Sequence, residues 1–176
     1  MEETVTNAAR QVLADCIAAL DLLEHEEHEQ RWRVLWVGAM ALLRAVGHVL
    51  RKVDGEDEGL RLLIDAAYDR WKADRSTNGV FWGFIEKERN NILKEYRFNV
   101  CDSAEVGLCL VEVRGGPESN QALVRETPFT LGENLFRPVT DGFGAGEDGR
   151  DVYRHAVKWW DAELSRIEVE LAASKR

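Results

Sequence analysis

Polar side chains crowd residues 88–96, in a stretch that otherwise has the pattern of an amphipathic helix. Glu88, Arg89, Asn90 and Lys94 lie there among apolar neighbours. On a helix, Arg89 and Lys94 stand roughly 140° apart around the axis, and their long side chains can still reach one phosphate group. Partly buried Arg, Asn and Glu side chains need partners, so such a set is either a structural network or a binding site.

The same stretch resembles a ribonuclease motif. Residues 89–96 read Arg-Asn-Asn-Ile-Leu-Lys-Glu-Tyr, which is similar to the Arg-Asn-x-Ile-x-His-Glu-Tyr stretch of HEPN proteins, the "higher eukaryotes and prokaryotes nucleotide-binding" superfamily. The resemblance implies a small helical bundle, often dimeric, with a metal-independent ribonuclease or toxin ancestry. It also implies that Arg89 binds phosphate and that Asn90 and Tyr96 belong to the substrate-binding surface.

Lys94 stands where the family motif has histidine. Attack by a ribose 2′-hydroxyl needs a group that exchanges a proton near neutral pH. Imidazole does this, whereas a lysine ammonium with an ordinary pKa of about 10.4 does not. A lysine can still stabilise phosphate charge, so Arg89 and Lys94 remain candidate catalytic residues. The substitution predicts that ribonuclease activity is weakened or lost.

A second Arg-x4-His spacing occurs at Arg150 and His155, near the start of the last predicted helix. One interpretation is an ordinary polar helix start, in which Asp151 complements the helix dipole. The other is that Arg150 contacts substrate and His155 restores an imidazole to the site. The second interpretation requires the fourth and fifth helices to pack so that both residues approach Arg89 and Lys94.

Other patterns that suggest metal or cofactor binding lack the remaining residues that such sites need. The acidic segment 24–29 carries two histidines, but a carboxylate di-metal bundle needs a second Glu-x-x-His, and neither His48 nor His155 has an acid three residues before it. His48 is interpreted as a core or rim residue of an apolar helix. The glycine run 142–146 has no P-loop lysine. We expect neither a metal nor a cofactor.

Composition indicates one folded domain, residues 1–176, in a reducing compartment. The chain is 45% hydrophobic and 31% charged, and its three cysteines form no CxxC pair. The N-terminus lacks a basic region followed by an apolar run, and the longest uncharged apolar run, residues 34–43, is about half the length of a membrane span. We therefore expect a cytoplasmic protein without a membrane partner.

Apolar residues recur at three- and four-residue steps in five segments, which predicts an up-and-down bundle of about five helices. The predicted segments are residues 2–24, 30–53, 60–74, 80–98 and a last helix of some twenty residues from Asp151. The second segment is the most apolar and is predicted to form the centre of the core. On the fourth, Tyr96 is predicted to face the core.

A β-rich insertion is predicted between the fourth and fifth helices, at about residues 99–149. The helical period disappears there, and all three prolines fall in this stretch. Residues 105–114 and 121–130 are predicted strands of a hairpin with its turn at 115–118, and 140–146 are predicted to be a flexible loop.

Two functional hypotheses follow. The first is a HEPN-like protein related to toxins or defence systems, with ribonuclease activity reduced or absent, acting as a homodimer that contacts RNA. A net charge of −9 repels phosphate backbones at long range, so any RNA contact must be local. The alternative is a non-enzymatic interaction protein, in which Arg89, Glu88 and Glu95 form a salt-bridge network and the β insertion binds a protein partner.

Overall fold

The computed structural model describes residues 5–101, 105–113, 122–130 and 136–174. Within these residues the chain is mainly helical, and five α-helices pack together, as the periodicity predicts. The helices are α1 Asn7–His25, α2 Glu29–Lys52, α3 Glu58–Ala73, α4 Lys87–Glu95 and α5 Gly149–Ser174.

Two strands lie within the predicted insertion. β1 spans Glu105–Val113 and β2 spans Ala122–Thr130, and they pair antiparallel with Glu105 opposite Thr130. The turn predicted at residues 115–118 lies outside the described residues.

The core is centred on α2, whose buried side chains recur along one face at one-, three- and four-residue steps. They are Trp32, Trp36, Ala39, Met40, Leu43, Val46 and Leu50. The rings of Trp32 and Trp36 stack with their centroids 5.2 Å apart.

By length and composition alone, the segment Glu29–Glu56 is also apolar enough to cross a membrane. The core helix of a soluble protein meets the same criterion.

α5 runs parallel to α2 and is joined to it by side-chain hydrogen bonds to the α2 backbone. The Tyr153 hydroxyl donates to the Ala39 carbonyl at 3.2 Å, and the Trp160 indole donates to the Leu43 carbonyl at 3.0 Å. Both aromatic rings are fully buried. These buried polar groups are satisfied without water, which fixes the position of α5 along α2.

α1 runs antiparallel to α2 and begins at Asn7, five residues later than predicted. The Asp54 carboxylate, which follows α2, accepts hydrogen bonds from the backbone N–H groups of Ala8 and Ala9 at 3.0 and 2.9 Å. These groups have no partner inside the helix, and a negative charge at a helix N-terminus also interacts favourably with its dipole. Arg10 then joins α1 to α5 through ion pairs with Asp161 and Glu168.

α3 and α4 follow one another along the same side of α2. α3 lies beside the C-terminal half of α2, where Arg51 pairs with Asp65 at 3.1 Å, and α4 lies beside the N-terminal half, where Glu88 contacts Trp36. The two helices do not pack against each other. This differs from the strict up-and-down order that the short connection predicts.

The connection between α3 and α4 explains this order. The Asp74 carboxylate accepts hydrogen bonds from the Thr77 N–H at 3.0 Å and the Ser76 hydroxyl at 2.8 Å. The Trp82 indole then donates to the Trp71 carbonyl at 2.9 Å. A π-helix, Val80–Glu86, leads directly into α4. After α3 the chain therefore continues toward the N-terminal half of α2 and does not turn back beside α3.

The segment predicted as a flexible loop, residues 140–146, forms hydrogen-bonded turns. The Gly146 N–H donates to the Val139 carbonyl at 2.8 Å, and Thr140 N–H donates to the Asn99 carbonyl at 2.7 Å. Phe143 lies against Gly79 and Gly83, where an added Cβ would come within 3.1 and 3.0 Å of the Phe143 side chain. The two glycines thus provide the space that seats this loop beside the π-helix.

Candidate functional site

The motif helix is shorter than predicted. α4 ends at Glu95 because Tyr96 adopts the left-handed conformation, with φ of 51°. Tyr96 N–H donates to the Ile92 carbonyl at 3.0 Å, and Arg97 N–H donates to the Asn91 carbonyl at 3.2 Å, which closes the helix end. The prediction that Tyr96 faces the core is wrong, since 65% of it is exposed. Its ring meets the edge of Phe98.

Glu88 is a structural residue of this helix. It is 2% exposed and accepts hydrogen bonds from the Trp36 indole at 3.2 Å and from the Asn99 N–H at 3.1 Å. Burial raises the pKa of Glu88, and the hydrogen bonds from Trp36 and Asn99 oppose that effect. Glu88 therefore ties α4 and the following chain to α2, and within the described residues it makes no ion pair with Arg89.

Arg89 and Asn90 follow Glu88 on α4 and are joined to each other. The Arg89 Nη1 donates to the Asn90 Oδ1 at 2.9 Å, and both side chains are half-buried. In the described part of the chain no carboxylate lies within ion-pair distance of Arg89, and Glu95 pairs with Arg97 instead. The salt-bridge network predicted for Arg89, Glu88 and Glu95 is therefore not found among those residues.

The charge of Arg89 reaches two residues of α2. It lowers the pKa of Arg44 and of His48, in each case after larger effects. A cation from α4 and two basic residues from α2 thus share one region of the surface. Lys94 is exposed on the last turn of α4.

Arg150 and His155 have other neighbours. Arg150 donates to the Asp148 carboxylate through Nε at 2.9 Å and Nη2 at 2.7 Å. His155 is exposed, and its ring centroid lies 5.8 Å from that of Phe143. No hydrogen bond joins His155 to Arg89 or Lys94 among the residues that the structure describes.

Arg150 belongs to a paired arginine cluster, in which Arg150 and Arg154 meet Asp148, Asp151 and Glu24. Arg154 forms ion pairs with Glu24 and with Asp151. Asp148 also accepts hydrogen bonds from the N–H groups of Arg150 and Arg137, and despite burial these donors lower its pKa. The arginine charges of this cluster are matched by carboxylates, so its role is to fix the start of α5.

A different arrangement occurs where α2, α3 and α5 meet. A cleft of about 380 Å³ lies there, within the range of small-molecule sites. Its basic residues, which define the cationic cleft, are Arg44, His48, Arg51, Lys52 and Arg61. Of the described residues, Asp65 is the one carboxylate that lines the cleft, and it pairs with Arg51 at 3.1 Å. Tyr68, Trp71, Phe81 and Trp160 supply its aromatic surface.

Arg44 is half-buried, whereas Arg51, Lys52 and Arg61 of the cationic cleft are exposed. Burial lowers the pKa of Arg44, Glu86 raises it at longer range, and Arg89 lowers it further. Its guanidinium carbon lies 5.8 Å from the Phe81 ring centroid, and no carboxylate in the described residues lies within 4 Å of it. A half-buried cation without a close carboxylate is the property expected of an anion-binding group.

His48 stands at the rim of the same cleft. Burial lowers its pKa, and the charges of Arg44, Arg89 and Lys52 lower it further. Its imidazole is therefore neutral at neutral pH. The sequence predicts that His48 is a core or rim residue. It is a rim residue, because it is exposed.

The spacing of the basic residues on α2 indicates this cleft, although the apolar periodicity alone does not. Arg44, His48 and Arg51 are spaced by four and three residues, so they share one stripe of α2. Such a basic stripe on an otherwise apolar helix marks a face turned away from the core. The contribution of Arg61 and Tyr68 from α3 depends on tertiary packing.

No group of three or more His, Cys, Asp or Glu residues is arranged to hold a metal ion within the described ranges. In the acidic segment that suggested such a site, Glu24 pairs with Arg154, and the His25 Nδ1 lies 2.7 Å from the Asp21 carbonyl.

No protein-family model, curated protein or solved structure matches this chain. The eight-residue resemblance and the helical packing therefore remain the grounds for a functional proposal.

Proposed function

We propose that the protein is a HEPN-like helical-bundle protein that contacts RNA phosphates locally through Arg89 and Lys94, with its metal-independent ribonuclease activity weakened or lost. The observation that carries this proposal is the setting of Arg89. It is half-buried beside Asn90, lies near Arg44 and His48, and has no carboxylate at ion-pair distance in the described residues.

The charge distribution supports a local contact. The whole chain has a net charge of −9, whereas Arg44, His48 and Arg89 form a basic region on α2 and α4. Such a region attracts a phosphate group within about a Debye length, even when the protein as a whole repels the rest of the strand. Lys94, at the end of α4, extends the basic surface.

The chemistry of the motif supports reduced catalysis. Lys94 stands where the similar family motif has its proton-exchanging histidine. His155 lies beside Phe143. The imidazole of His48 is a candidate substitute, because the charge of Arg89 acts on it and lowers its pKa. In this proposal any residual cleavage depends on His48 or His155. The proposal also includes a cytoplasmic homodimer with an inserted hairpin and a relation to toxins or defence.

RNA binding is tested by fluorescence anisotropy with a short labelled single-stranded RNA in buffer with a metal chelator. Arg89→Ala should weaken binding about tenfold, since a hydrogen bond from a cation contributes about 1.5–3 kcal/mol. The slope of log affinity against log salt should fall by about 0.7 for each lost phosphate contact. The matched control is Arg97→Ala, which removes an exposed arginine that pairs with Glu95.

The outcomes separate the hypotheses. An Arg89→Ala affinity equal to that of the wild type would remove Arg89 from the contact surface, and absence of RNA binding would overturn the proposal. Gel analysis of the same RNA should show little or no cleavage. Rapid cleavage that survives Arg89→Ala, His48→Ala and His155→Ala would place catalysis elsewhere.

The second candidate is a protein-interaction module. An apolar groove between α1 and α2 favours it, because Leu22 and Val34 line this groove and are 54% and 63% exposed. In this candidate the β insertion supplies a further binding surface. Failure of RNA binding together with loss of partner binding in a Val34→Asp variant would favour this candidate.

A further inference from the structure

The cationic cleft concentrates positive charge in an acidic protein. Arg44, Arg51, Lys52 and Arg61 supply basic side chains, and among the described residues Asp65 is the one carboxylate that lines the same cleft. Because Asp65 already pairs with Arg51, the other three basic residues have no lining carboxylate in the part of the chain that the structure describes. Like charges held together in one concave site favour a bound anion of more than one charge.

Within the cleft, the unfavourable concentration of positive charge is centred on Arg44. Its pKa is lowered mainly by burial, and its side chain lies over the Phe81 ring. An anion bound there replaces the water that the guanidinium has lost and forms charge-assisted hydrogen bonds in a setting of low dielectric.

Tyr68 is the exposed aromatic residue among those that line the cleft, and it favours a ligand with a ring. Trp71, Phe81 and Trp160 are buried, and Tyr68 is 39% exposed at the side of the cleft. The Tyr68 and Trp71 rings meet edge to face with centroids 6.3 Å apart. A planar ring bound beside Tyr68 can form the same kind of contact while its charged end meets the arginines.

We infer that the cationic cleft binds a small phosphate monoester that carries a planar ring. A phosphate monoester holds close to two negative charges at neutral pH and offers three acceptor oxygens, which suits the several donors of Arg44, Arg61 and Lys52. The volume of about 380 Å³ accommodates one such ring and its phosphate.

This inference deepens the proposed function, with which it shares Arg44 and His48, but it can fail separately. Arg61 and Tyr68, both on α3, line the cationic cleft and are not part of the proposed RNA contact. Arg89 and Lys94 belong to the RNA contact and do not line the cleft. Variants of the two pairs therefore test the two ideas independently.

The experiment is a calorimetric titration of the full chain with phenyl phosphate, alongside inorganic phosphate and benzyl alcohol as separate probes. Phenyl phosphate should bind at least tenfold more tightly than either probe. Arg44→Gln and Arg61→Gln should each weaken it about tenfold, as expected for loss of one charge-assisted hydrogen bond. Tyr68→Leu should reduce the preference over inorganic phosphate, and Arg97→Gln is the matched control.

Each contrary result overturns a stated part of the inference. If inorganic phosphate binds as tightly as phenyl phosphate, the ring is not recognised. If benzyl alcohol binds as tightly, the phosphate is not recognised. If phenyl phosphate does not bind at about 1 mM, the cleft is not a site for this ligand. Binding unchanged in Arg61→Gln would also overturn the assignment, and this exposed residue can be replaced even if Arg44→Gln fails to fold. Loss of RNA binding in Arg89→Ala with phenyl phosphate binding retained supports both proposals.

Discussion

The paired arginine cluster and the cationic cleft use the same side chains in opposite ways. Arg150 is held by two hydrogen bonds to Asp148, and Arg154 meets Glu24 and Asp151. In the cationic cleft, Arg44 lies half-buried over a phenyl ring with no carboxylate close by in the described residues. A matched cation contributes to the folded structure, whereas an unmatched one retains interaction energy for a ligand.

The largest expected effect is at the paired cluster. Asp148→Ala should lower the free energy of unfolding by about 3–4 kcal/mol, because it removes a helix cap and leaves the Arg150 guanidinium without its carboxylate. Urea denaturation measures this value. Asp151→Ala is the control, since that carboxylate is exposed, and its loss should cost less than about 1 kcal/mol. Equal effects would erase the contrast between buried and exposed pairs.

The wall of the cationic cleft is expected to be rigid. A Cβ added at Gly47 would lie 2.8 Å from the Trp160 ring, so Gly47→Ala should lower the free energy of unfolding by about 1–2 kcal/mol despite alanine's better helix propensity. Gly38 lies on the same helix with no atom of the described residues within 4 Å of the added Cβ, and Gly38→Ala should instead stabilise by up to about 1 kcal/mol. Thermal unfolding of both variants decides between a rigid and a yielding wall.

Removal of the unmatched cation should scarcely change stability. Arg44→Gln is expected to leave the free energy of unfolding within about 0.5 kcal/mol of wild type, because it removes a desolvated charge that lacks a close partner. Chemical denaturation measures this change at neutral pH. A loss above about 2 kcal/mol would mean that Arg44 is as structural as Arg150 and would break the comparison.

The smallest effect concerns pH. The pKa of His48 in the folded protein is lowered by burial and by nearby cations, so its contribution to stability is complete above the unfolded value of about 6.5 and is lost as pH falls through the folded value. Between pH 7 and 5 wild type should therefore lose a few tenths of a kcal/mol, about what solvent screening allows, relative to His48→Gln. Parallel stability curves for the two proteins would contradict this.

Local patterns explain why the helices were predictable. The repeats of α1 and α2 predict those helices to within a few residues, because burial of one face imposes its period on the sequence. The end of α4 was not predictable, since the left-handed residue is Tyr96 instead of the glycine or asparagine common at that position. The need for partners at Glu88 was visible, but their identity depends on α2 packing.

The candidate sites differ in the same way. The pairing of Arg150 with Asp148 joins residues two positions apart, which sequence alone can suggest. The cationic cleft combines α2 with α3 and α5, and no short motif describes such an assembly. The sequence thus indicates the basic stripe of α2 but not the surface that faces it.

The split between α3 and α4 has a consequence for local opening. α4 has nine residues and does not pack on α3, and the hydrogen bond between Trp36 and Glu88 joins it to α2. We expect its amide protons to exchange with solvent before those of α2 and α5, as one small cooperative unit. The proposed RNA-contact residues would then lie on the part of the bundle that unfolds and refolds most often while the core stays closed.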